Sequence, residues 1–241
     1  MIYLVGAGPG RADLLTVRAA RVLAKANVVL YDRLVSPEVL DLVNPHADLL
    51  YVGKEDGQQE PIQDSILEEL VRQAKKHAHV VRLKGGDPMV FGRGAEEWQY
   101  LNQKGFEVEL VPGISSALSV PSLAGIPPTF RGVANGFAVI TGHVRDGFNE
   151  ELTRYAQADT LIILMGTRHR ARIAELLIAA GRDPQEPACF IENGSTPRER
   201  FHETVLRDLG SVPVQSPAVL VIGQVVRLRE RLLPLLAQAV A

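Results

Sequence analysis

The sequence is poor in the features that mark export, membrane insertion or nucleic-acid binding. Cys189 is the only cysteine among 241 residues, so no disulfide can form within the chain. The formal net charge of -2 provides no general electrostatic attraction to nucleic acid. No apolar run is long enough to cross a bilayer, and the first residues are strand-like instead of forming a basic and then apolar leader. We therefore expect a cytoplasmic protein that binds neither membrane nor nucleic acid.

Two common kinds of catalytic centre are also missing. The six histidines show no zinc spacing and have no cysteine pair to complete a site, so no metal is expected. The chain contains no Gly-x-Ser-x-Gly nucleophile elbow. Cys189 lies within an apolar run, where we expect an inert thiol.

What the first half does contain is a regular alternation of short apolar runs and helical patterns. The runs are rich in Val, Leu and Ile, which predicts parallel strands buried on both faces and joined by right-handed crossovers. Thr16 is expected to cap one helix, and Ser65 to Lys76 has the apolar spacing of another. The predicted strands are Ile2–Val5, Val28–Tyr31, Leu49–Val52, Val80–Leu83 and Val108–Val111.

A connector rich in Gly and Pro, from 112 to about 136, interrupts this alternation and begins with a small-residue helix or bridge predicted from Ser115 to Ala124. Beyond it we expect a helix from Arg168 to Ala180, and a core position for Met165, although Gly166 would open that strand end to a ligand. The fold class is therefore α/β with two lobes, 1–112 and 113–241, and a mainly parallel sheet in the first. One continuous sheet is the alternative. The predicted strands of the second lobe are Phe137–Thr141, Thr160–Met165, Ala188–Ile191 and Ala218–Ile222.

The segment from Arg82 to Gly94, with the sequence RLKGGDPMVFGRG, is the most informative stretch of the chain. Its four glycines remove the Cβ atoms that would keep a ligand away from the backbone. Asp87 can accept hydrogen bonds from hydroxyls or bind cations, and Arg93 can hold an anion. This combination favours a binding loop over an ordinary strand-to-helix turn.

Three further features follow predicted strands. The loop from Gly6 to Arg11 resembles a dinucleotide fingerprint, but it lacks the third glycine, and Pro9 removes one backbone N–H. Asp32 follows the second strand, where it could bind a ribose hydroxyl, act as a general base or pair with Arg33. Lys54 follows the third strand and is expected at the same end of the sheet.

Eight segments, in order along the chain, together resemble one known family, and the resemblance runs from about Ile2 to Val226. They are LVGAGPG at 4–10, YDRLVS at 31–36, VGK at 52–54, RLKGGDP at 82–88, FGRG at 91–94, VPGISS at 111–116, GIP at 125–127 and TGH at 141–143. The family is that of the uroporphyrinogen-III C-methyltransferases, within the tetrapyrrole methylase superfamily. The glycine and aspartate loop is shared across the superfamily, whereas YDRLVS and FGRG are more specific to this member.

The resemblance implies S-adenosylmethionine as methyl donor, S-adenosylhomocysteine as product, an active-site cleft between the two lobes and a homodimer. The implied reaction is C-methylation of uroporphyrinogen III at C2 and C7 to precorrin-2, on the way to siroheme or cobalamin. Asp32 and Lys54 match the proposed proton acceptor and donor, and Arg93, Glu96 and Arg131 match residues that hold the tetrapyrrole. The matching donor contacts are Pro9, Gly85, Gly86, Asp87, Val90, Ser115, Ser116, Met165 and Gly194.

The chain departs from the family pattern at three places. It has Ser115-Ser116 where the family usually has Thr followed by Ala or Ser, Phe130 where a His is common, and Leu164 where an aromatic residue is frequent. Two other functions compete with this reading. One is a superfamily methylase that acts on a later corrinoid, on rRNA or on a protein side chain, and the other is a nucleotide-binding sensor or dehydrogenase.

Overall fold

Two five-stranded sheets organise the chain. The computed structural model describes residues 1–53, 63–144, 147–148 and 150–233. The chain divides into two compact units, Met1–Ser115 and Ser116–Ala241, and each unit contains one of the sheets. The predicted α/β class is therefore confirmed.

The sheet of the first unit is parallel throughout, as predicted. Its strands are β1 (Ile2–Gly6), β2 (Val28–Tyr31), β3 (Asp48–Tyr51), β4 (Val80–Lys84) and β5 (Val108–Val111), in the order β3-β2-β4-β1-β5. The connections contain α1 (Val17–Leu23), α2 (Pro37–Leu40), α3 (Gln63–Ala74) and α4 (Gly94–Gln103), with a 3-10 turn at Ala12–Leu14. Because all the strands run the same way, their carboxyl ends share one end of the sheet.

Local sequence accounts for the start of α1 and for the buried face of α3. The Thr16 hydroxyl accepts a hydrogen bond from the Ala19 N–H at 3.1 Å, which confirms the predicted cap. In α3, Ile66, Leu67 and Leu70 are buried at helical spacing.

The outer strand β3 is less buried than predicted. Leu49 and Tyr51 in this strand are 46% and 40% exposed. The expectation of burial on both faces is correct for the central strands and wrong for β3, because an outermost strand has a neighbour on one side only.

The sheet of the second unit is mixed. Its strands are β6 (Phe137–Thr141), β9 (Thr160–Leu164), β10 (Pro187–Glu192), β11 (Arg200–Val205) and β12 (Ala218–Ile222), in the order β11-β10-β12-β9-β6, and β7 (His143–Val144) pairs separately with β8 (Gly147–Phe148). The β6–β9 pairing is parallel, whereas β12 runs antiparallel to β9 and β10. The helices are α5 (Ser116–Leu123) and α6 (Arg170–Ala179), with 3-10 segments at Glu150–Tyr155, Thr167–His169, Leu206–Ser211 and Gln224–Leu228.

Alternate residues of each central strand supply two separate apolar clusters, one on each face of the sheet. In β4, Val81 and Leu83 join the cluster on one face, and Val80 joins the cluster on the other. Cys189 is fully buried in β10, and this burial raises the pKa of its thiol, as expected for an inert cysteine. None of the helices in the described ranges has both the length and the apolar character needed to cross a membrane.

Candidate functional site

The predicted site residues of the first unit follow the carboxyl ends of its strands. Ligands of open parallel sheets bind at this end, so these loops form the candidate site. Pro9 follows β1, Asp32 follows β2, Gly85, Gly86 and Asp87 follow β4, Val90, Arg93 and Glu96 lie between there and the first turn of α4, and Ser115 follows β5.

Glycines bring three backbone segments into direct contact at this end of the sheet. A Cβ on Gly113 would lie 2.2 Å from the Gly86 carbonyl oxygen and 2.7 Å from the Gly6 Cα atom. Gly86 has a φ of 66°, which favours glycine. It also exchanges backbone hydrogen bonds of 2.7 and 3.2 Å with Gly8. Gly86 therefore uses its N–H and carbonyl groups to join two loops of the protein.

The Asp87 carboxylate joins a further pair of loops. Its Oδ1 atom accepts a hydrogen bond from the Met89 N–H at 2.8 Å, and its Oδ2 atom accepts one from the Gly113 N–H at 3.0 Å. Each carboxylate oxygen can accept a second hydrogen bond. Binding of a ligand hydroxyl by Asp87 stays a prediction.

Exposed apolar side chains surround these loops. Leu34, Met89, Val90 and Phe91 are each more than one-third exposed. Phe91 has a φ of 53°, which is uncommon for a residue other than glycine. Clustered exposed apolar side chains are typical of a ligand-binding surface.

Arg93 and Glu96 pair with one another at the start of α4. The Arg93 guanidinium donates to Glu96 Oε2 from Nη2 at 2.5 Å and from Nε at 2.9 Å. This contact raises the pKa of Arg93. Both side chains are more than half exposed, so solvent screens the pair and a stronger anionic partner can compete for the guanidinium.

The carboxylate of Asp32 is held at both oxygens. Oδ1 accepts from the Leu34 N–H at 3.1 Å, and Oδ2 accepts from Arg82 Nη2 at 3.2 Å. The ion-pair partner is therefore Arg82, and the suggested pairing with Arg33 is not the one seen. The Asp32 side chain is 25% exposed, so it remains accessible from solvent. Lys54, the other predicted catalytic residue, lies outside the described residues.

A buried charged cluster behind Asp32 was not predicted from the sequence, which placed Arg82 in the strand Val80–Leu83 and Lys84 in the loop after it without assigning either a buried charge. Both are buried in β4, and Glu97 of α4 is buried beside them. Lys84 Nζ donates to Glu97 Oε1 at 2.8 Å. Burial and then the nearby Arg82 charge lower the pKa of Lys84, against the opposing effect of Glu97. Cations at alternate positions of an otherwise apolar strand were the available signal.

In the second unit, Met165 and Gly194 follow the carboxyl ends of β9 and β10, which point the same way because both run antiparallel to β12. Met165 is 48% exposed, so the expectation of a core position is wrong. Its φ of 56° turns the chain immediately after the last sheet residue. A Cβ on Gly194 would lie 2.3 Å from Val120 Cγ1, so this glycine allows close packing on α5.

The other predicted residues of this unit lie elsewhere within it. Ser116 is the first residue of α5. Arg131 is exposed in the turn that the Phe130–Ala134 bridge closes, before β6 begins. Among the side chains that the structure describes, no group of three His, Cys, Asp or Glu residues converges as a metal site would require.

The chain matches a family and several known proteins over most of its length. Residues 1–210 match the model of the Tetrapyrrole (Corrin/Porphyrin) Methylases. A Siroheme synthase from Stutzerimonas stutzeri (strain A1501) is 44% identical over 239 residues, which cover 96% of this chain and 51% of that protein. The chloroplastic S-adenosyl-L-methionine-dependent uroporphyrinogen III methyltransferase of Arabidopsis thaliana is 44% identical over 235 residues, which cover 94% of this chain and 64% of that protein.

A solved structure is similar over almost its whole chain. It is the Uroporphyrin-III C-methyl transferase from Thermus thermophilus complexed with S-adenyl homocysteine, with a TM-score of 0.85 and 47% identity. The match covers 94% of this chain and 98% of that one. By contrast, this chain spans only about half to two-thirds of the two sequence relatives. With the family model and these relatives in agreement, the chain belongs to the tetrapyrrole (corrin/porphyrin) methylases.

Proposed function

We propose that this chain is an S-adenosylmethionine-dependent methyltransferase that methylates uroporphyrinogen III at C2 and C7 to give precorrin-2. Family membership and the names of the similar proteins support the reaction class. The observation that carries the proposal is the Asp32 carboxylate. It is held at both oxygens and 25% exposed at the carboxyl end of a parallel sheet.

The reaction needs alignment and a proton acceptor. The sulfonium donor supplies an activated methyl group, so the protein's main task is to align that group with an electron-rich pyrrole carbon. Once the carbon–carbon bond forms, the ring must lose a proton. The Asp32 carboxylate is our proposed acceptor, directly or through water. Lys54 keeps its proposed role as proton donor.

The donor is proposed to bind along the glycine loops. Gly85 carries no side chain, and Val90, later in the same loop, offers exposed apolar surface. Since Gly86 and Asp87 already serve contacts within the protein, Asp87 would use its remaining lone pairs toward the donor. Pro9, Ser115, Ser116, Met165 and Gly194 complete the proposed donor set.

The substrate explains why arginines are needed. Uroporphyrinogen carries eight carboxylates, and the planar guanidinium fork binds carboxylates through paired hydrogen bonds. Arg93 is exposed and paired with the exposed Glu96, which a substrate carboxylate can displace. Arg131 is proposed to bind another carboxylate, and Glu96 to orient Arg93.

Several finer points belong to the same proposal. We propose that the protein acts as a cytoplasmic homodimer without a metal, and that its product serves siroheme or cobalamin synthesis. The first lobe, 1–112, would hold the tetrapyrrole and much of the donor, and the second, 113–241, would complete the donor site. Light scattering at several protein concentrations tests the dimer.

One experiment tests the reaction. The protein is incubated with uroporphyrinogen III and isotopically labelled donor, and the product mass is measured. Addition of two labelled methyl groups is expected, and a failure to label uroporphyrinogen III would refute the proposal.

The Asp32→Asn variant tests the proposed proton acceptor. General base catalysis contributes roughly 10²–10⁴-fold, so kcat should fall within that range. Affinity for S-adenosylhomocysteine, measured by calorimetry, should stay within a few-fold of wild type. Loss of donor affinity ahead of turnover would instead assign Asp32 to a ribose hydroxyl.

A further inference from the structure

A buried ionic cluster lies between the interior of the first unit and Asp32. Arg82 and Lys84 belong to β4, and Glu97 belongs to the first turn of α4. Their side chains are 4%, 6% and 0% exposed. Charged groups rarely lie this deep unless they are paired, because removing a charge from water is costly.

The strand register explains why these charges face Asp32. Arg82 is aligned with Leu30 in the neighbouring strand β2. Side chains of a strand alternate between its faces, so Arg82 and Lys84 share the face on which Leu30 is buried. Asp32 lies two residues beyond Leu30, within reach of the Arg82 guanidinium.

The Arg82 guanidinium is fixed through all three of its nitrogen atoms. Nη1 donates to the Leu83 carbonyl at 2.9 Å, and Nε lies 3.4 Å from Glu97 Oε1. Nη2 donates to Asp32 Oδ2 at 3.2 Å. Because the guanidinium is planar, contacts at Nη1 and Nε also fix the direction in which Nη2 points. The position of Arg82 therefore determines where the Asp32 carboxylate lies.

Glu97 in turn holds Arg82 and Lys84 together. Its Oε1 atom accepts from Lys84 Nζ at 2.8 Å, from Gln63 Nε2 at 3.1 Å and from Arg82 Nε at 3.4 Å. Neither Lys84 nor Glu97 has a route to solvent comparable to that of Asp32, which is 25% exposed. The accessible end of the cluster is therefore Asp32.

Stability alone is a weak reason for such a cluster. Replacement of a buried ion pair by apolar residues of similar volume is often neutral or stabilising, because desolvation offsets the attraction between the charges. We infer that Arg82 is a positioning residue for Asp32, and that Glu97 holds Arg82 in place, so that the Asp32 carboxylate keeps one orientation toward the substrate. This inference rests on the proposed function, since it assigns Arg82 to the proton acceptor of that reaction.

A double-mutant cycle between Arg82 and Asp32 tests the inference. A misplaced catalytic group can cost about 10²-fold, so Arg82→Gln should lower kcat by roughly 10- to 100-fold in the wild-type background. In the Asp32→Asn background the same change should alter kcat less than about twofold, because Arg82 acts through Asp32. Arg82→Lys, which keeps the charge but loses the fork, should recover part of kcat.

Matched measurements separate positioning from folding. Affinity for S-adenosylhomocysteine should remain within a few-fold of wild type in every variant. Arg18→Gln removes an exposed pairing with Glu109 on the far side of β1 from β4, and should leave kcat unchanged. If Arg82→Gln does not fold, the double-mutant cycle with Asp32→Asn is measured with Glu97→Gln and with Arg82→Lys instead.

The outcomes distinguish this inference from the proposed function. An equal loss of kcat in both backgrounds, or no loss in the wild-type background, would overturn the positioning role while methyl transfer by the wild type stood. A wild type that transfers no methyl group to uroporphyrinogen III would overturn both.

Discussion

The contact among Gly6, Gly86 and Gly113 predicts a large loss of stability when a methyl group is added at its centre. In Gly113→Ala the new Cβ would lie 2.2 Å from the Gly86 carbonyl oxygen, where ordinary contact begins at 3.4 Å. The neighbours are backbone atoms, so the overlap of 1.2 Å (3.4 minus 2.2) cannot be relieved by a side-chain rotation. Overpacking costs typically 1–3 kcal/mol, and we expect about 3 kcal/mol here.

Gly105→Ala is the matched control within the same unit. Its Cβ would meet nothing within 4 Å, but its φ of 81° is strained for alanine, at a cost of about 1–2 kcal/mol. Both replacements reduce the conformational freedom of the unfolded chain by the same amount. The difference between the two variants is therefore the cost of the overlap at Gly113 minus the backbone strain at Gly105.

Urea unfolding followed by tryptophan fluorescence measures both variants. Trp98 is the only tryptophan, and it packs against the core of the first unit, so its fluorescence reports on the unit that contains both glycines. The free energy of unfolding should be lower for Gly113→Ala than for Gly105→Ala by at least 1 kcal/mol, roughly a fivefold difference in the equilibrium constant. Equal losses, or a smaller loss at Gly113, would refute an overlap cost that exceeds the backbone strain at Gly105.

Two further predictions concern packing in the second unit and binding of the substrate. Gly194→Ala should destabilise the protein, because its Cβ would overlap Val120 Cγ1. In thermal unfolding, the double variant with Val120→Ala should be at least about 1 kcal/mol more stable than the sum of the two single changes predicts. Strict additivity would contradict the contact. Arg131→Met should raise the KM for uroporphyrinogen by roughly 10- to 150-fold, from about 1.5–3 kcal/mol per charged hydrogen bond. Arg93→Met should raise the KM less, because Arg93 must break its ion pair with Glu96 before it can bind a substrate carboxylate. Donor affinity should change in neither variant, and an equal loss for both ligands would indicate a folding defect.

Most strands were predictable from their short apolar runs. The strands β2, β5, β6 and β12 have the bounds that their apolar runs predict. By contrast β11, which spans Arg200–Val205, was missed because it lies at the edge of the sheet and has polar or charged residues at four of its six positions. Its pairing with β10 is a tertiary contact, and sequence periodicity carries little signal for a half-exposed strand.

Helix α4 was missed for a different reason. Its buried residues are Gly94, Glu97 and Leu101, so one of its three buried positions holds a large apolar side chain. An amphipathic pattern cannot be recognised when a buried position holds a carboxylate. The same carboxylate pairs with Lys84 and Arg82, so the missed helix and the missed ionic cluster have one cause.

The sequence predicted which loops form the candidate site, but not which of their residues hold the loops together. Glycines and an aspartate after β4 indicate a close approach of backbone, and a sequence cannot say whether the approaching group is a ligand or another loop. Here Gly86 approaches Gly8 and Gly113, and Asp87 accepts from Gly113. Gly86 and Asp87 therefore hold loops of the protein together at the carboxyl end of the sheet.

This packing leaves the binding surface to residues that project beyond the glycines. Once the backbone groups of Gly86 are used within the protein, what remains to meet a ligand is the exposed apolar surface of Val90 and Phe91, the accessible carboxylate of Asp32 and the guanidinium of Arg93. Exposed apolar surface together with an accessible carboxylate and an accessible cation would suit our proposed substrate, a tetrapyrrole ring with anionic groups at its periphery. Changes at the glycines should therefore alter stability first, whereas changes at Asp32 and Arg93 should alter turnover and substrate affinity in a protein that remains folded.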